Sequence, residues 1–500
     1  MYDIVIQNAF VLDGTGAEGF VCDVAIRDGK IAKLAQGITD AAKVINARGL
    51  TLTPGFIDSH SHYDMAVLKD PDQQEVVEQG ITFSVAGNCG ASLAPDVHGR
   101  TGLSVEAFFQ RVQQSPIGCN FALLVGAGTI RKEIAGYENR AATEEELIQM
   151  ESLLDSCMQC GAIGLSLGLI YAPGSYADTQ ELMRLARVVK RYDGIISAHI
   201  RNENDFVAES VEEFISVIRG SGCRGVLSHH KAADKPNWGK VKKTLSLVEQ
   251  ASREGLDIYV DAYPYTASLT SLKARFIPSF LHPPGTTDPI SLLDDPSMRQ
   301  KLKSWAQNRW GNDLSWVLVT TSIHPEYNGK NVNEIAQMMG LEDRCEAVYR
   351  LLQESPSASA CYTMMAEDDV RYILAHPRAM IGTDFNISGR PEKYHPRLRG
   401  TFPRVLGRYV REEKVTTLPE MIRKMTFLPA QVYKLPGKGR IAEGYDGDIC
   451  IFDPEKIRDN ADYVNCSLPN EGIHYVLIDG KVVVENNRYN GTRAGRLFVP

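Results

Sequence analysis

The 500-residue sequence contains no apolar run of the roughly 18 residues needed to cross a bilayer. Its N-terminus, Met1-Tyr2-Asp3-Ile4-Val5, lacks the basic region and apolar core of a secretion signal, so the chain reads as cytoplasmic. Basic charge is also short: 54 Lys and Arg against 62 Asp and Glu give a net charge of −8. That balance argues against nucleic acid or an anionic membrane as partner, either of which calls for a basic patch, and points to a small-molecule substrate. A disulfide framework is missing too. The ten cysteines follow no regular spacing in a chain large enough to do without covalent staples, so they read as thiols. Cys157 and Cys160 fall in a helical pattern, where packing explains them better than redox chemistry. Finally, no tract is compositionally biased; with 43% hydrophobic and 23% charged residues the chain is expected to fold throughout.

What is present divides into two grammars. Alternating β patterns fill both ends: Asp3 to Asn8, Val21 to Arg27, the turn Asp28-Gly29 and Lys30 to Leu34, then Asp448 to Phe452, Tyr475 to Ile478, the turn Asp479-Gly480 and Lys481 to Val484. Asp-Gly between alternating runs signals a hairpin, and termini that lie close together can share one domain. A small β-domain from residues 1–50 and 427–500 is therefore expected. Between the ends, short apolar runs alternate with helical patterns, the mark of a parallel sheet crossed by helices. Candidate strands are Leu52 to Asp58, Ile81 to Ala86, Phe121 to Gly126, Gly164 to Leu167, Ile195 to Ala198, Gly225 to Ser228, Ile258 to Asp261 and Ala379 to Gly382. Eight β/α units over residues 51–426 predict a (β/α)8 barrel, whose catalytic groups sit at the C-terminal strand ends. The long connection from Ala262 to Arg378 must hold an insertion between strands seven and eight, placed at about 285–355 and able to cover the barrel mouth.

The strand ends carry the chemistry. His60 and His62 follow strand one, and alternation along an extended chain puts both imidazoles on one face. Cys89 follows strand two, His199 ends strand five, His229 ends strand six and Asp384 ends strand eight. Imidazole, thiolate and carboxylate are zinc donors, and five separate segments converge on one spot. Alternation sends His230 to the face opposite His229, so only one of that pair is a candidate ligand.

These motifs resemble the amidohydrolase superfamily, and within it the D-aminoacylase (N-acyl-D-amino-acid deacylase) family. The resemblance rests on Pro54 to His62, Gly87-Asn88-Cys89-Gly90, Ala198-His199-Ile200-Arg201-Asn202-Glu203, Ser228-His229-His230-Lys231, Tyr263-Pro264-Tyr265, Gly382-Thr383-Asp384 and His395-Pro396-Arg397-Leu398, and runs nearly end to end. It implies a barrel of the amidohydrolase type with a small β-sandwich domain formed by both termini. It also implies zinc: Cys89, His199 and His229 hold one ion tightly, and His60, His62 and Asp384 form a second, weaker position. Many superfamily members bridge two metals through a carbamylated lysine ending strand four; Leu165-Ser166-Leu167-Gly168 offers none, and Cys89 stands in its place. The implied reaction is hydrolysis of an N-acyl-D-amino acid with Asp384 as general base and acid. Lys231, Tyr263 and Arg397 bind the substrate carboxylate, and Tyr362 and Met365 line the acyl or side-chain pocket.

The pattern departs from the family at two substrate loops. Leu269 stands where the family has a serine, and Phe385-Asn386-Ile387-Ser388 replaces a glycine-led, shorter path to His395. Larger groups at Leu269 and Phe385 point toward a bulkier or more apolar amide. Two alternatives therefore stay open: a zinc amidohydrolase of another amide (a D-dipeptide, a cyclic amide or an acylated natural product), and a catalytically silent barrel acting as a binding protein. Exposed apolar positions in the terminal β-domain are compatible with a homo-oligomer of undefined symmetry.

Overall fold

A computed structural model describes residues 1–96, 98–99, 101–385 and 395–500; Asn386, Ile387 and Ser388 of the lengthened loop lie outside them. Eight parallel strands run in chain order around one sheet: Phe56–Asp58, Ile81–Ala86, Asn120–Gly126, Gly164–Gly168, Ile195–His199, Arg224–Leu227, Ile258–Ala262 and Ala379–Ile381. Nearly every residue of these strands is buried, because helices cover one face and the barrel interior the other. Strands one and eight close the ring past their ends, where Ser59 N donates to Ile381 O at 3.1 Å and Asp384 N to His60 O at 2.8 Å.

The crossing helices follow from their sequences. Glu144–Gln159 starts at a capping box, Glu146 N donating to Thr143 Oγ1 at 3.2 Å and Thr143 N to Glu146 Oε2 at 2.8 Å. It buries Met150, Leu154, Cys157 and Met158, a single stripe at helical spacing, so Cys157 is a core residue. At the barrel floor the helix Phe427–Val432 and the residues after it press Leu428, Val432 and Tyr433 against inward side chains of the strands, among them Ile57, Phe83, Leu124 and Val226. The Tyr433 hydroxyl donates to Ser59 O at 2.9 Å, so the floor also braces the chain that leads to His60.

Both termini build one nine-stranded sheet, in which Thr51–Pro54 pairs with Tyr2–Val11 on one side and Ile449–Phe452 on the other. The apolar run Leu52 to Asp58 is thus shared between two sheets, which part at Gly55. Only glycine fits there: a Cβ would lie 2.2 Å from the Thr82 side chain. One face of the terminal sheet carries Cys450, Phe452, Val476 and Ile478 into the apolar layer under the barrel helices; the other has a separate core around Ile6, Val24 and Ile449. Each Asp-Gly turn takes positive φ at both residues, as its hairpin requires.

Between strands seven and eight the chain forms a second small body. A three-stranded antiparallel sheet pairs Ala267–Ser271 with Ser359–Thr363, and that strand with Val317–Thr321. The sheet thus takes in chain on both sides of the 285–355 segment. Helices Pro296–Trp310 and Arg344–Glu354 pack on it around Leu302, Val319, Val348 and Tyr349.

A buried ion triad ties terminal sheet to barrel. Lys438 Nζ lies 2.8 Å from Asp446 Oδ2 and 2.5 Å from Asp448 Oδ2, and Asp448 also accepts from Asn120 Nδ2 of strand three at 3.2 Å. Burial works against the ammonium, but Asp448 and Asp446 hold its pKa above the ordinary lysine value. Asp446 also pairs with Lys30, so a Lys438→Met variant leaves Asp448 without its buried cation and is expected to lose about 3–5 kcal/mol in urea unfolding; a loss below about 1 kcal/mol, the worth of a surface pair, would show the triad to be dispensable.

Candidate metal centre

Each candidate ligand lies at or just past the C-terminal end of a barrel strand, and neighbouring polar groups brace the segments around them. Asp58, the last residue of strand one, accepts from His60 N at 3.2 Å, Thr383 N at 2.8 Å and Thr383 Oγ1 at 2.6 Å, locking the His60 and Asp384 segments together. Burial pushes its pKa up to about 7, against the Thr383 and His60 hydrogen bonds. Asp261, in strand seven, sits 3.2 Å from His60 Nδ1 and accepts from His229 N at 2.6 Å. Its carboxylate fixes the His60 ring with Nε2 toward the centre, the outer hydrogen bond that metal-ligating histidines require.

The Cys89 loop is held from three sides. Asp64 accepts from Gly87 N at 3.0 Å and Leu93 N at 2.7 Å; Ser166 of strand four donates to Gly87 O at 2.5 Å and accepts from Gly90 N at 3.0 Å; Ser197 of strand five donates to Asn88 Oδ1 at 2.8 Å. Three candidate ligands take positive φ: Cys89 at 55°, His229 at 35° and Asp384 at 48°. Such backbone costs about 1–3 kcal/mol per residue and persists only where the surroundings dictate it.

The result is a tight donor cluster. Cys89 Sγ stands 3.3 Å from His60 Nε2 and 3.2 Å from His229 Nε2, and Asp384 Oδ1 lies 3.3 Å from His62 Nε2. Two groups have donor atoms all within 4.8 Å of one another: His60, His62, Cys89 and Asp384, and Cys89, His199 and His229. Cys89 belongs to both. Zinc fits this set. Neither nitrogen of the buried His199 ring has a hydrogen-bond partner among the described residues. Burial holds the His199 and His229 imidazoles below their ordinary pKa, in the neutral form that ligates. Burial, then the Asp384 carboxylate, pushes the Cys89 thiol well above its usual value, so a thiolate here needs a cation beside it.

A cavity of about 670 Å³ opens beside the cluster, and Lys231, Tyr263 and Arg397 line it together with the apolar Ile170, Leu269 and Met364. Arg397 Nη1 donates to Asp384 Oδ2 at 2.7 Å, and its guanidinium lies over the Tyr263 ring. Burial favours a neutral Asp384, but Arg397, the hydrogen bond from His62 and the nearby imidazoles hold its carboxyl well below the usual range. The Tyr263 hydroxyl is buried without a partner among the described residues. Lys231 Nζ donates to Glu203 Oε1 at 2.5 Å.

The chain matches two models described as amidohydrolase family, over residues 51–232 and 298–484. It is 33% identical to a D-aminoacylase of Alcaligenes xylosoxydans xylosoxydans, covering 99% of this chain and 97% of that one. The chain belongs to the D-aminoacylase family of amidohydrolases. A second relative from that organism, an N-acyl-D-glutamate deacylase, is 36% identical over 96% of this chain and 93% of its own. In structure the chain is similar to the N-acyl-D-glutamate deacylase of Bordetella bronchiseptica, solved with zinc and a phosphonate mimic of the tetrahedral intermediate, with a TM-score of 0.88, 33% identity and 100% of both chains covered.

The structure brings all six candidate ligands of this family member together, and puts Lys231, Tyr263 and Arg397 on the cavity wall. Three expected pocket residues lie elsewhere. Tyr362 is turned into the inserted body, its hydroxyl donating to Ser271 O, because alternation along Ser359–Thr363 sends it away from the cavity. Met365 faces a small crevice beside His230; its neighbour Met364 lines the cavity. Phe385 packs into the barrel's apolar layer, whereas Leu269 lines the cavity. His230 points outward to Thr244 Oγ1 at 2.7 Å. Sequence reasoning missed Asp58, Asp261 and Glu203. The signal for the first two was a carboxylate closing an otherwise apolar strand, a position that is costly unless it is used.

Gly168 offers a direct test of this architecture. A Cβ there would lie 2.1 Å from Cys89 O, with no flexible side chain to yield. Gly168→Ala is expected to retain the far-ultraviolet circular dichroism of the native chain while its zinc content after dialysis falls below one ion per chain. Full zinc retention would show that the Cys89 loop tolerates displacement.

Proposed function

We propose that this chain is a zinc-dependent deacylase that hydrolyses N-acyl-D-amino acids to a carboxylate and a free D-amino acid. The observation that carries the reading is the juxtaposition, in one cavity, of the donor cluster, the Asp384 carboxylate and a clamp of Arg397, Lys231 and Tyr263 suited to a substrate α-carboxylate. Cys89, His199 and His229 would hold the tighter zinc, and His60, His62 and Asp384 would frame a weaker second position. Bound zinc supplies Lewis acidity, lowering the pKa of water from 15.7 toward roughly 7 and polarising the scissile carbonyl.

The protein's own groups do the rest. Arg397 offers a planar fork that matches a carboxylate, Lys231 adds a point charge, and the unpartnered Tyr263 hydroxyl is a further donor. Asp384 accepts the proton of the attacking water and delivers it to the leaving nitrogen, which has to be protonated before the C–N bond breaks. A substrate carboxylate competes with Asp384 for Arg397, so binding loosens the ion pair that suppresses the basicity of Asp384. Leu269 gives the wall an apolar surface, the feature that favours a second reading, an amide other than a simple N-acyl amino acid. No helix among the described residues is long and apolar enough to cross a membrane. Ten free thiols support a cytoplasmic location.

Release of free amino acid from paired N-acetyl-D and N-acetyl-L amino acids by the zinc-loaded protein tests the function. Turnover confined to D members is expected; equal rates on both series, or none on either with zinc bound, reject the deacylase reading. Asp384→Asn is expected to lower kcat by about 10²–10⁴-fold, the usual worth of general acid–base catalysis, with the fold retained; near-normal kcat would remove Asp384 from the mechanism.

A further inference from the structure

His229 has two faces. Its Nε2 lies 3.2 Å from Cys89 Sγ, on the side of the donor cluster, whereas its Nδ1 lies 2.7 Å from Lys231 Nζ and 3.2 Å from Glu203 Oε1. A neutral imidazole that offers the Nε2 lone pair to a metal carries its hydrogen on Nδ1. That hydrogen needs an acceptor, and an ammonium has none to give. The Glu203 carboxylate is the acceptor in reach. It is buried, four residues after His199, and the same Oε1 accepts from Lys231 at 2.5 Å while Oε2 stands 3.6 Å from His199 Nε2.

We propose that Glu203 is a positioning residue that fixes the tautomer of His229 and anchors Lys231 at the cavity wall, coupling the metal position to the carboxylate clamp through one buried carboxylate. Without its charge, Lys231 would be the only strong partner of Nδ1. The ammonium would donate to Nδ1, the ring hydrogen would move to Nε2, and His229 would lose the lone pair that faces Cys89. The Glu203 carboxylate therefore does two things: it holds the ammonium, which lies 2.7 Å from Nδ1, and it places an acceptor 3.2 Å from Nδ1 that can take the ring hydrogen. The inference rests on His229 being a metal ligand, and not on the identity of the substrate.

The test is zinc affinity, measured without substrate by competition with a chromophoric chelator. Glu203→Gln keeps the shape and removes the charge; it is expected to bind zinc about 10–100-fold more weakly, the usual loss when the outer partner of a ligating histidine is removed. Adding Lys231→Met to that variant removes the competing ammonium and leaves an amide oxygen to accept from Nδ1, so affinity is expected to return to within a few-fold of the native value. An unchanged affinity in Glu203→Gln, or a double variant no tighter than the single one, overturns the proposal. Should Glu203→Gln fail to fold, Lys231→Met alone decides: it is expected to bind zinc at least as tightly as the native protein while KM for an N-acetyl-D-amino acid rises, and weakened zinc binding overturns the proposal. A native protein that binds zinc but hydrolyses no N-acyl-D-amino acid would reject the deacylase reading and leave this result intact.

Discussion

The Cys89 sulfur is the point on which the site depends. It lies within 3.3 Å of imidazoles from strands one and six and belongs to both donor groups, so a shift of the sulfur disturbs both. Its cost is visible in the backbone, since Cys89, His229 and Asp384 all take left-handed conformations that L side chains rarely adopt. At about 1–3 kcal/mol each, this strain is comparable with a substantial part of the net stability of a domain. It persists because each of these three turns is hydrogen-bonded to a different strand: Asp58 to Thr383, Asp261 to His229, Ser166 to Gly87 and Gly90. A closed barrel suits this task, because each strand end has a neighbour on both sides that can serve as anchor.

Strand four illustrates the exchange. In many members of the superfamily that the motifs resemble, this strand end supplies a carbamylated lysine that bridges two metals. Here Ser166 clamps the Cys89 loop instead, and Gly168 lies so close to Cys89 O that no side chain is possible. Strand four thus supports the loop that carries the candidate ligand Cys89 of strand two.

The eight barrel strands were legible because a parallel sheet buried on both faces writes continuous apolar runs, and the ligands were legible because His, Cys and Asp at the ends of such runs have little other reason to be there. What escaped has physical causes. Hydrophobicity does not say which sheet a strand joins, so Leu52 to Asp58 read as one strand although Gly55 divides it. Ala267–Ser271 is polar and only partly buried, so that strand of the inserted body left no apolar run to read. Tyr362 and Met365 were misplaced by one alternation, since a register error of one residue exchanges the faces of a strand. Glu203 lies in a loop and is recognisable only once Lys231 and His229 are seen around it.

Arg397 ties recognition to chemistry in the proposed reaction. In the structure its guanidinium is bonded to Asp384, and that contact, with the His62 hydrogen bond, outweighs the burial that would otherwise keep the carboxyl neutral. A carboxylate held so strongly anionic is a poor base. An incoming substrate carboxylate presents the same charge and geometry to the same fork, and draws part of the guanidinium away. Asp384 then retains its burial but loses part of its counter-charge, which moves its proton affinity upward at the moment a proton has to be taken from water. One cation thus serves two anions in turn, and an amide without an α-carboxylate would meet a site whose base is still restrained.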